Sequence, residues 1–394
     1  MSQSLTSLNL SKGGPSMNGN FRVGNLFGIP FFINISWFIV LALVTLNFGS
    51  GLAAQFPWLG GSAIALGLIS GLLMFASVLL HELGHSFAAQ QRGIGVNSIT
   101  LFLFGGLASL DAEAKTPGNA FWIAVAGPLV SLALFILLSF VAASGIVTGP
   151  AAAIAGLLAY INLILATFNM IPGLPLDGGN VLKSIVWKIT GNQFKGVIWA
   201  SRVGQFIGWS AITLGILAVL GISNIGSFWT LIIGWFLLQN AGSSAQSATI
   251  QQALSGLTAA DAVVTEGPIV NADTTLRDFA DMTIMTNTPN QWQRFLVKDN
   301  DNQLLGSIRL EAIRSIPSER WSDYHVRYFV EPITAENQVE SDQSLLDVVG
   351  KLEKQNAKAF AVTRDNGTLV GLLEKSNIVN LLKTRKESQS IQSA

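Results

Sequence analysis

LLMFASVLLHELGHSFAAQ, residues 72–90, places two histidines and a glutamate late in an otherwise apolar run. On a helix, positions i and i+4 share a face, so His81 and His85 can aim two imidazoles at one point. Zinc accepts imidazole nitrogen readily, and Glu82 is placed to take a proton from water activated by such an ion. From average residue usage, a chance His-Glu-x-x-His in a chain of this length is on the order of a one per cent event. The setting argues further against chance, because ionisable side chains inside a membrane span are costly and by default imply function. The chain has three histidines, and two are here. Arg92 follows His81 by 11 residues. At 1.5 Å per residue this sets the first histidine ~16 Å inside the boundary that Arg92 marks.

The flanking sequence is built for a bilayer. Half of the 394 residues are hydrophobic and 12% are charged, well below the share in soluble globular chains. Apolar stretches at about 29–48, 61–91, 118–144, 150–172, 197–221 and 226–246 are each long enough to cross a hydrocarbon core needing ~20 residues. The expectation is six transmembrane helices. Residues 23–81, 116–176 and 203–260 contain no Lys, Arg, Asp or Glu. Each block covers a hairpin of spans with the loop at its tip. The cations Arg22, Arg92, Lys115, Lys183, Lys188, Lys195 and Arg202 all fall on the opposite side. Under the positive-inside rule that side is cytoplasmic, so both termini and the histidine end of the second span are expected there. The Ser-, Gly- and Asn-rich start lacks a signal-peptide pattern. The absence of cysteine excludes disulfides and thiolate metal sites. No basic patch with interleaved aromatics suggests a nucleic-acid partner.

A catalytic zinc needs a third protein ligand and an open position. Apart from Glu82, Asp177 is the only acidic residue embedded in apolar sequence, within NMIPGLPLDGG, residues 169–179. Pro172, Gly173 and Pro175 should end the fourth helix, leaving irregular backbone that is tolerated at membrane depth where it lines a cavity. Asp-Gly-Gly is also good turn chemistry. Taken with the histidine pair and its cytoplasmic-side position, Asp177 reads as the third ligand.

The two motifs together resemble the site-2 proteases, zinc metalloproteases that cut substrates within the membrane. The resemblance covers roughly residues 20–245 and implies one zinc ion per chain held by His81, His85 and Asp177, with Glu82 as the catalytic glutamate. It implies a membrane-anchored protein substrate, whose helix must unwind locally before its carbonyls are accessible. Residues 96–110, VNSITLFLFGGLASL, read as a hairpin turning near Gly105-Gly106. In the family this region dips towards the active site and offers an edge to the substrate; a purely structural surface hairpin is the other reading. Asn169 is a candidate donor to the substrate carbonyl, or else a satisfied interhelical amide. Ala126-Gly127-Pro128 reads as close helix packing.

Charge changes character beyond residue 250. The first 250 residues carry eight Lys/Arg and four Asp/Glu, and the remainder carries 15 and 19. Two similar segments, FLVKDNDNQLLGSIRLEAIRSI from Phe295 and AFAVTRDNGTLVGLLEKSNIVNLL from Ala359, each read strand, turn, strand, helix. This points to an internal duplication. It resembles a tandem pair of cystathionine-β-synthase (CBS) domains, modules that often bind adenine nucleotides. The expected arrangement is a transmembrane metalloprotease domain over 1–250 and a soluble α+β CBS pair over 255–385, in halves of about 255–317 and 328–385. After the glycine of the second strand, the family's ribose-holding Ser/Thr and Asp are replaced by Arg309 and Ala312, and by Glu374 and Asn377. That departure argues against nucleotide and leaves docking or homodimerisation as the alternative role. His325 reads as a surface or linker residue, and the polar tail after Lys383 as disordered.

The leading reading is regulated proteolysis of a membrane-anchored regulatory protein. A CBS-gated transporter has no need of Glu between two His and should show an inverted repeat, which the two halves lack. A non-proteolytic metal-binding scaffold is the third reading.

Overall fold

The computed structural model describes residues 19–103, 105–263, 268–285, 294–314, 316–334 and 337–392. It divides near residue 250 into two compact units.

The first unit opens with a β-ribbon. β1 (Asn20–Leu26) and β2 (Ile29–Asn34) are antiparallel. They are joined by Phe27 and Gly28, both at positive φ, as a tight two-residue hairpin turn requires. Asn34 then caps α1 (Ile35–Gln55), its Oδ1 accepting from the Ser36 amide at 3.0 Å. The first span therefore starts at Ile35, not at Ile29. A short apolar run does not distinguish strand from helix by itself, and here strand pairing and the cap decide.

α2 (Ser62–Gln90) is followed by β3 (Val96–Phe102) and β4 (Gly105–Leu110). The hairpin expected over 96–110 is present. The sheet runs β1-β2-β3-β4, with β2 and β3 parallel and the other pairs antiparallel. β4 is thus an edge strand. Ile29, Phe31, Ile99 and Leu101 of the sheet bury against Trp37 of α1 and Phe75 and Leu83 of α2. This fixes the sheet beside the histidine end of α2.

α3 (Pro117–Ala143) and α4 (Pro150–Asn169) follow. α4 stops three residues short of the expected 172, because the chain turns into Pro172-Gly173. α5 (Asp177–Thr190) is an amphipathic helix that the apolar-run reading does not contain. α6 (Gln193–Val219) and α7 (Phe228–Leu254) pack through small residues: a Cβ at Gly208 or Gly215 would press on the α7 backbone at Gly234, Leu231 and Leu238.

Among the described residues α1, α2, α3, α4 and α6 are able by length and composition to cross a membrane, five helices where six were expected. The difference is α7, whose apolar first half gives way to the polar run from Gln239 to Gln252.

The second unit is a duplicated βαββα pattern. β5 (Ile269–Asn271), α8 (Leu276–Met285), β6 (Arg294–Lys298), β7 (Leu304–Arg309) and α9 (Leu310–Arg314) form the first copy. β8 (Gln338–Glu340), α10 (Leu345–Lys354), β9 (Ala359–Thr363), β10 (Leu369–Glu374) and α11 (Lys375–Gln392) form the second. Both sheets pair their first strand parallel to the second and the second antiparallel to the third. The tail expected to be disordered after Lys383 continues α11 to Gln392.

The copies interleave. Leu254, Leu257, Ala259 and Ala262 complete the core of the second copy, around Val339, Leu345 and Phe360. Val326 and its neighbours complete the core of the first, around Phe279 and Ile308. His325 lies in this connection, its Nδ1 2.7 Å from the Asp273 carbonyl.

Candidate metal centre

The local geometry of α2 brings His81 and His85 onto one face, and tertiary structure brings Asp177 to them. Met170 to Leu176 fold into a turn closed by Gly173 N–H to Ile171 O at 2.8 Å and Leu176 N–H to Gly173 O at 3.0 Å. The Leu174 amide donates to Ala200 O of α6 at 3.2 Å, and Gly173 lies on Gly204. A Cβ at Gly178 would strike the Met170 and Ile171 backbone, and one at Gly179 the Gly173–Leu174 backbone. The two glycines after Asp177 are therefore demanded by close approach. They let α5 start directly under the loop, with Asp177 in its first turn, where the helix dipole favours a carboxylate.

Asp177 Oδ2 lies 3.1 Å from His81 Nε2 and 3.3 Å from His85 Nε2, and the two Nε2 atoms are 3.2 Å apart. A four-coordinate zinc with bonds of ~2.0–2.1 Å sets its ligands about 3.3 Å apart, so this triangle is one face of such a tetrahedron. A catalytic zinc held there would keep one further position for water or substrate. Two imidazole nitrogens and a carboxylate oxygen suit zinc, and the residues present fit the ion.

Each imidazole is turned by its other nitrogen. His81 Nδ1 is 2.9 Å from Ser131 Oγ, and His85 Nδ1 is 2.7 Å from the Ile123 carbonyl, both on α3. Glu82 is not part of the triangle. Its carboxylate faces the backbone of β4, where Gly106 is packed on its Cδ and Oε1 and Ala108 offers a backbone hydrogen bond. The expected hairpin thus lies against the expected base. Past β4, Glu113 accepts from Gln193 Nε2 at 2.6 Å and pairs with Lys183 at 3.5 Å, which ties the hairpin exit to α5 and α6.

Not every candidate residue joins the group. Gly105 has φ 135° and open space where a Cβ would stand, so its role is the turn into β4. Asn169 ends α4 half-buried, and its side chain makes no hydrogen bond among the described residues. The interhelical-amide alternative is met instead by Asn162, which donates to Ser77 Oγ at 3.1 Å.

Sequence reading missed the α3 wall. Gly84, the glycine of HELGH, is the contact point: a Cβ there would meet Val130 Cγ2 at 2.8 Å and Ala126 O at 3.0 Å. Opposite it, a Cβ at Gly127 would press on both Nε2 atoms, that of His81 at 2.7 Å. Ala126-Gly127-Pro128 does mark close packing, and at Gly127 the packing is against the two histidines. Gly127→Ala is accordingly expected to weaken zinc binding by on the order of tenfold or more. Helical content should be unchanged, because alanine is the better helix former. Chelator competition followed with circular dichroism measures both, and undiminished zinc affinity would contradict the geometry.

Comparison with known proteins gives the family. Residues 70–152 and 143–211 match peptidase family M50. "Putative zinc metalloprotease sll0528" of Synechocystis sp. is 53% identical over 378 residues, covering 96% of this chain and 99% of that protein. The solved site-2 protease from Methanocaldococcus jannaschii is 27% identical, covering 57% of this chain and 95% of its own, with a TM-score of 0.42. The CBS domains of a transcriptional regulator from Streptococcus pneumoniae align over 32% of this chain and 99% of theirs at 15% identity, with a TM-score of 0.26. Family match, full-length relative and a two-histidine, one-carboxylate centre among apolar helices converge: this chain belongs to peptidase family M50, the site-2 protease family, and is an intramembrane zinc metalloprotease.

Proposed function

We propose that His81, His85 and Asp177 hold the zinc, that Glu82 is the proton carrier, and that the substrate is a membrane-anchored regulatory protein cut in or near its transmembrane segment. The observation that carries this is the 3.1–3.3 Å donor triangle with Glu82 beside it and outside it. Bound zinc supplies Lewis acidity, polarising a peptide carbonyl and lowering the pKa of water to roughly 7. Glu82 accepts the proton of the attacking water and returns it to the leaving amide nitrogen. Burial of the carboxylate against β4 holds it beside the metal-facing side of α2. The free edge of β4 next to Gly106 suits pairing with an extended substrate segment, which addresses the need to unwind a helix before cutting it. In this reading Gly105 supplies the turn and Gly106 the close approach, while Asn169 stands at the end of α4 as a donor for the substrate carbonyl.

Six spans, with α7 as the sixth, put both termini and the centre on the cytoplasmic side. The charge-free blocks and the cations between them support this orientation. Residues 1–250 form the protease domain and 255–385 a CBS-like pair that regulates it, by docking or homodimerisation. Arg309 is engaged by Glu331 in an exposed ion pair with Arg294 on its other oxygen, and Glu374 bonds Ser376 at 3.1 Å. Neither half has the Ser/Thr and Asp of the ribose-holding pattern at the matching positions, which carry Arg309 and Ala312, and Glu374 and Asn377; this favours a role without adenine nucleotide.

The test is cleavage by the full chain in liposomes bearing a single-span substrate, with the products mapped by mass spectrometry. Cuts in or next to the hydrophobic span are expected. Cleavage confined to the substrate's soluble segments, or none with zinc bound, would overturn the reading.

A further inference from the structure

Ser131 is fully buried on α3, 50 positions from the histidine it meets. Its Oγ lies 2.9 Å from His81 Nδ1, and His81 is itself 3% exposed. His81 turns Nε2 towards His85 and Asp177. A neutral imidazole that gives the Nε2 lone pair to a metal carries its proton on Nδ1. In this burial the hydroxyl of Ser131 is the acceptor in place. The same logic holds at His85, where the partner is a backbone carbonyl, Ile123 O at 2.7 Å.

Residues 123, 127 and 131 stand at i, i+4 and i+8, so they form one stripe along α3. The stripe presents a carbonyl to one imidazole, an absent side chain to both, and a hydroxyl to the other. Pro128 lies inside this helix and has no N–H to give back to the preceding turn. The amide it lacks would have bonded the Ala124 carbonyl, one residue past the Ile123 carbonyl that faces His85. Of the three contacts, Ser131 is the one made by a side chain, and it is the one a substitution can remove cleanly.

We propose that Ser131 is a positioning residue of the metal centre: by accepting from His81 Nδ1–H it fixes the tautomer and ring orientation that aim Nε2 at the metal. The inference rests on the metal centre proposed above. Ser131 touches neither substrate nor the reacting atoms, and acts through His81 alone. Its loss should act first on metal affinity. Catalysis at saturating zinc should change less, because the ion itself then holds the ring.

The experiment compares Ser131→Ala, Ser131→Thr and Ser131→Val in the full-length protein purified in detergent. Threonine and valine have the same shape and differ by the hydroxyl, so they separate hydrogen bonding from packing. Zinc dissociation constants are read by chelator competition, and the visible spectrum of the cobalt-substituted protein reports ligand geometry. Removal of such an outer partner typically weakens a metal site 10- to 100-fold. That loss is expected for alanine and valine, with threonine within about threefold of wild type and an unaltered cobalt spectrum. Ser70→Ala serves as control, since Ser70 is equally buried but bonds Leu66 O on its own helix. It should leave zinc affinity unchanged. Equal affinities for threonine and valine, or an equal loss with Ser70→Ala, would overturn the proposal; if Ser131→Ala fails to fold, the isosteric pair still decides it. His81→Ala run alongside tells the two failures apart. If it too binds zinc like wild type, the metal centre itself is wrong; if it loses zinc while valine does not, only the role of Ser131 falls.

Discussion

Glu82→Gln is expected to lower peptide hydrolysis by roughly 10²–10⁴-fold, the range for loss of a general acid–base group, while about one zinc per chain stays bound. Glutamine preserves the shape of the side chain but cannot take a proton from water. Zinc should be retained because the three donors that face one another come from His81, His85 and Asp177, whereas Glu82 faces Gly106 and Ala108 of β4. The two measurements are kcat/KM on a membrane-anchored substrate in liposomes and metal content by elemental analysis. Hydrolysis at the wild-type rate would remove Glu82 from the mechanism. Loss of zinc together with activity would make it a ligand instead. The same variant, held in native membranes, should accumulate its substrates uncut.

Asp177→Ala carries the second large effect, and it separates from the first by its readout. The chain should fall from about one zinc to well below it after dialysis against a chelator, because two imidazoles alone do not complete a zinc site. His81→Ala and His85→Ala should do the same. Asp177 sits in the first turn of α5, so its removal also takes a favourable charge from that helix N-terminus, worth about 0.3–1 kcal/mol. That is too little to unfold a polytopic domain, and the variants should stay folded. Unchanged zinc in all three would refute the centre. Zinc lost only with the histidines would return Asp177 to a structural turn residue.

The elements legible from sequence are those whose signal is local. Apolar length marked α1, α2, α3, α4 and α6 as able to cross a bilayer, and the Gly105-Gly106 pair marked the β3–β4 hairpin. The repeated strand, turn and strand marked β6–β7 and β9–β10. Failures came where a local pattern admits two structures. Ile29–Asn34 is apolar enough for either a span or a strand, and pairing with β1 and β3 made it a strand. The two copies of the repeat follow one another in sequence, yet residues 254–262 pack in the core of the second copy. A polar tail read as disordered lies in α11.

The linear sequence is enough to single out the histidine pair and its glutamate neighbour. Spacing i, i+4 is a property of one helix and needs no partner, so His81, Glu82 and His85 stand out wherever that helix lies. Asp177 was named by elimination among acidic residues in apolar sequence, which says nothing of distance. That Asp177 Oδ2 reaches both imidazoles is a property of the fold, because it depends on a loop docked on α6 through glycines that allow backbone contact. The fold also decides how the rings are turned. Ile123 and Ser131 carry no motif a linear reading would find, and Gly127 reads there only as helix packing, since a carbonyl, a hydroxyl and a missing side chain gain this meaning only when α3 lies against α2. A helix's period can place two histidines on one face, but the aim of an imidazole is set by what its other nitrogen touches.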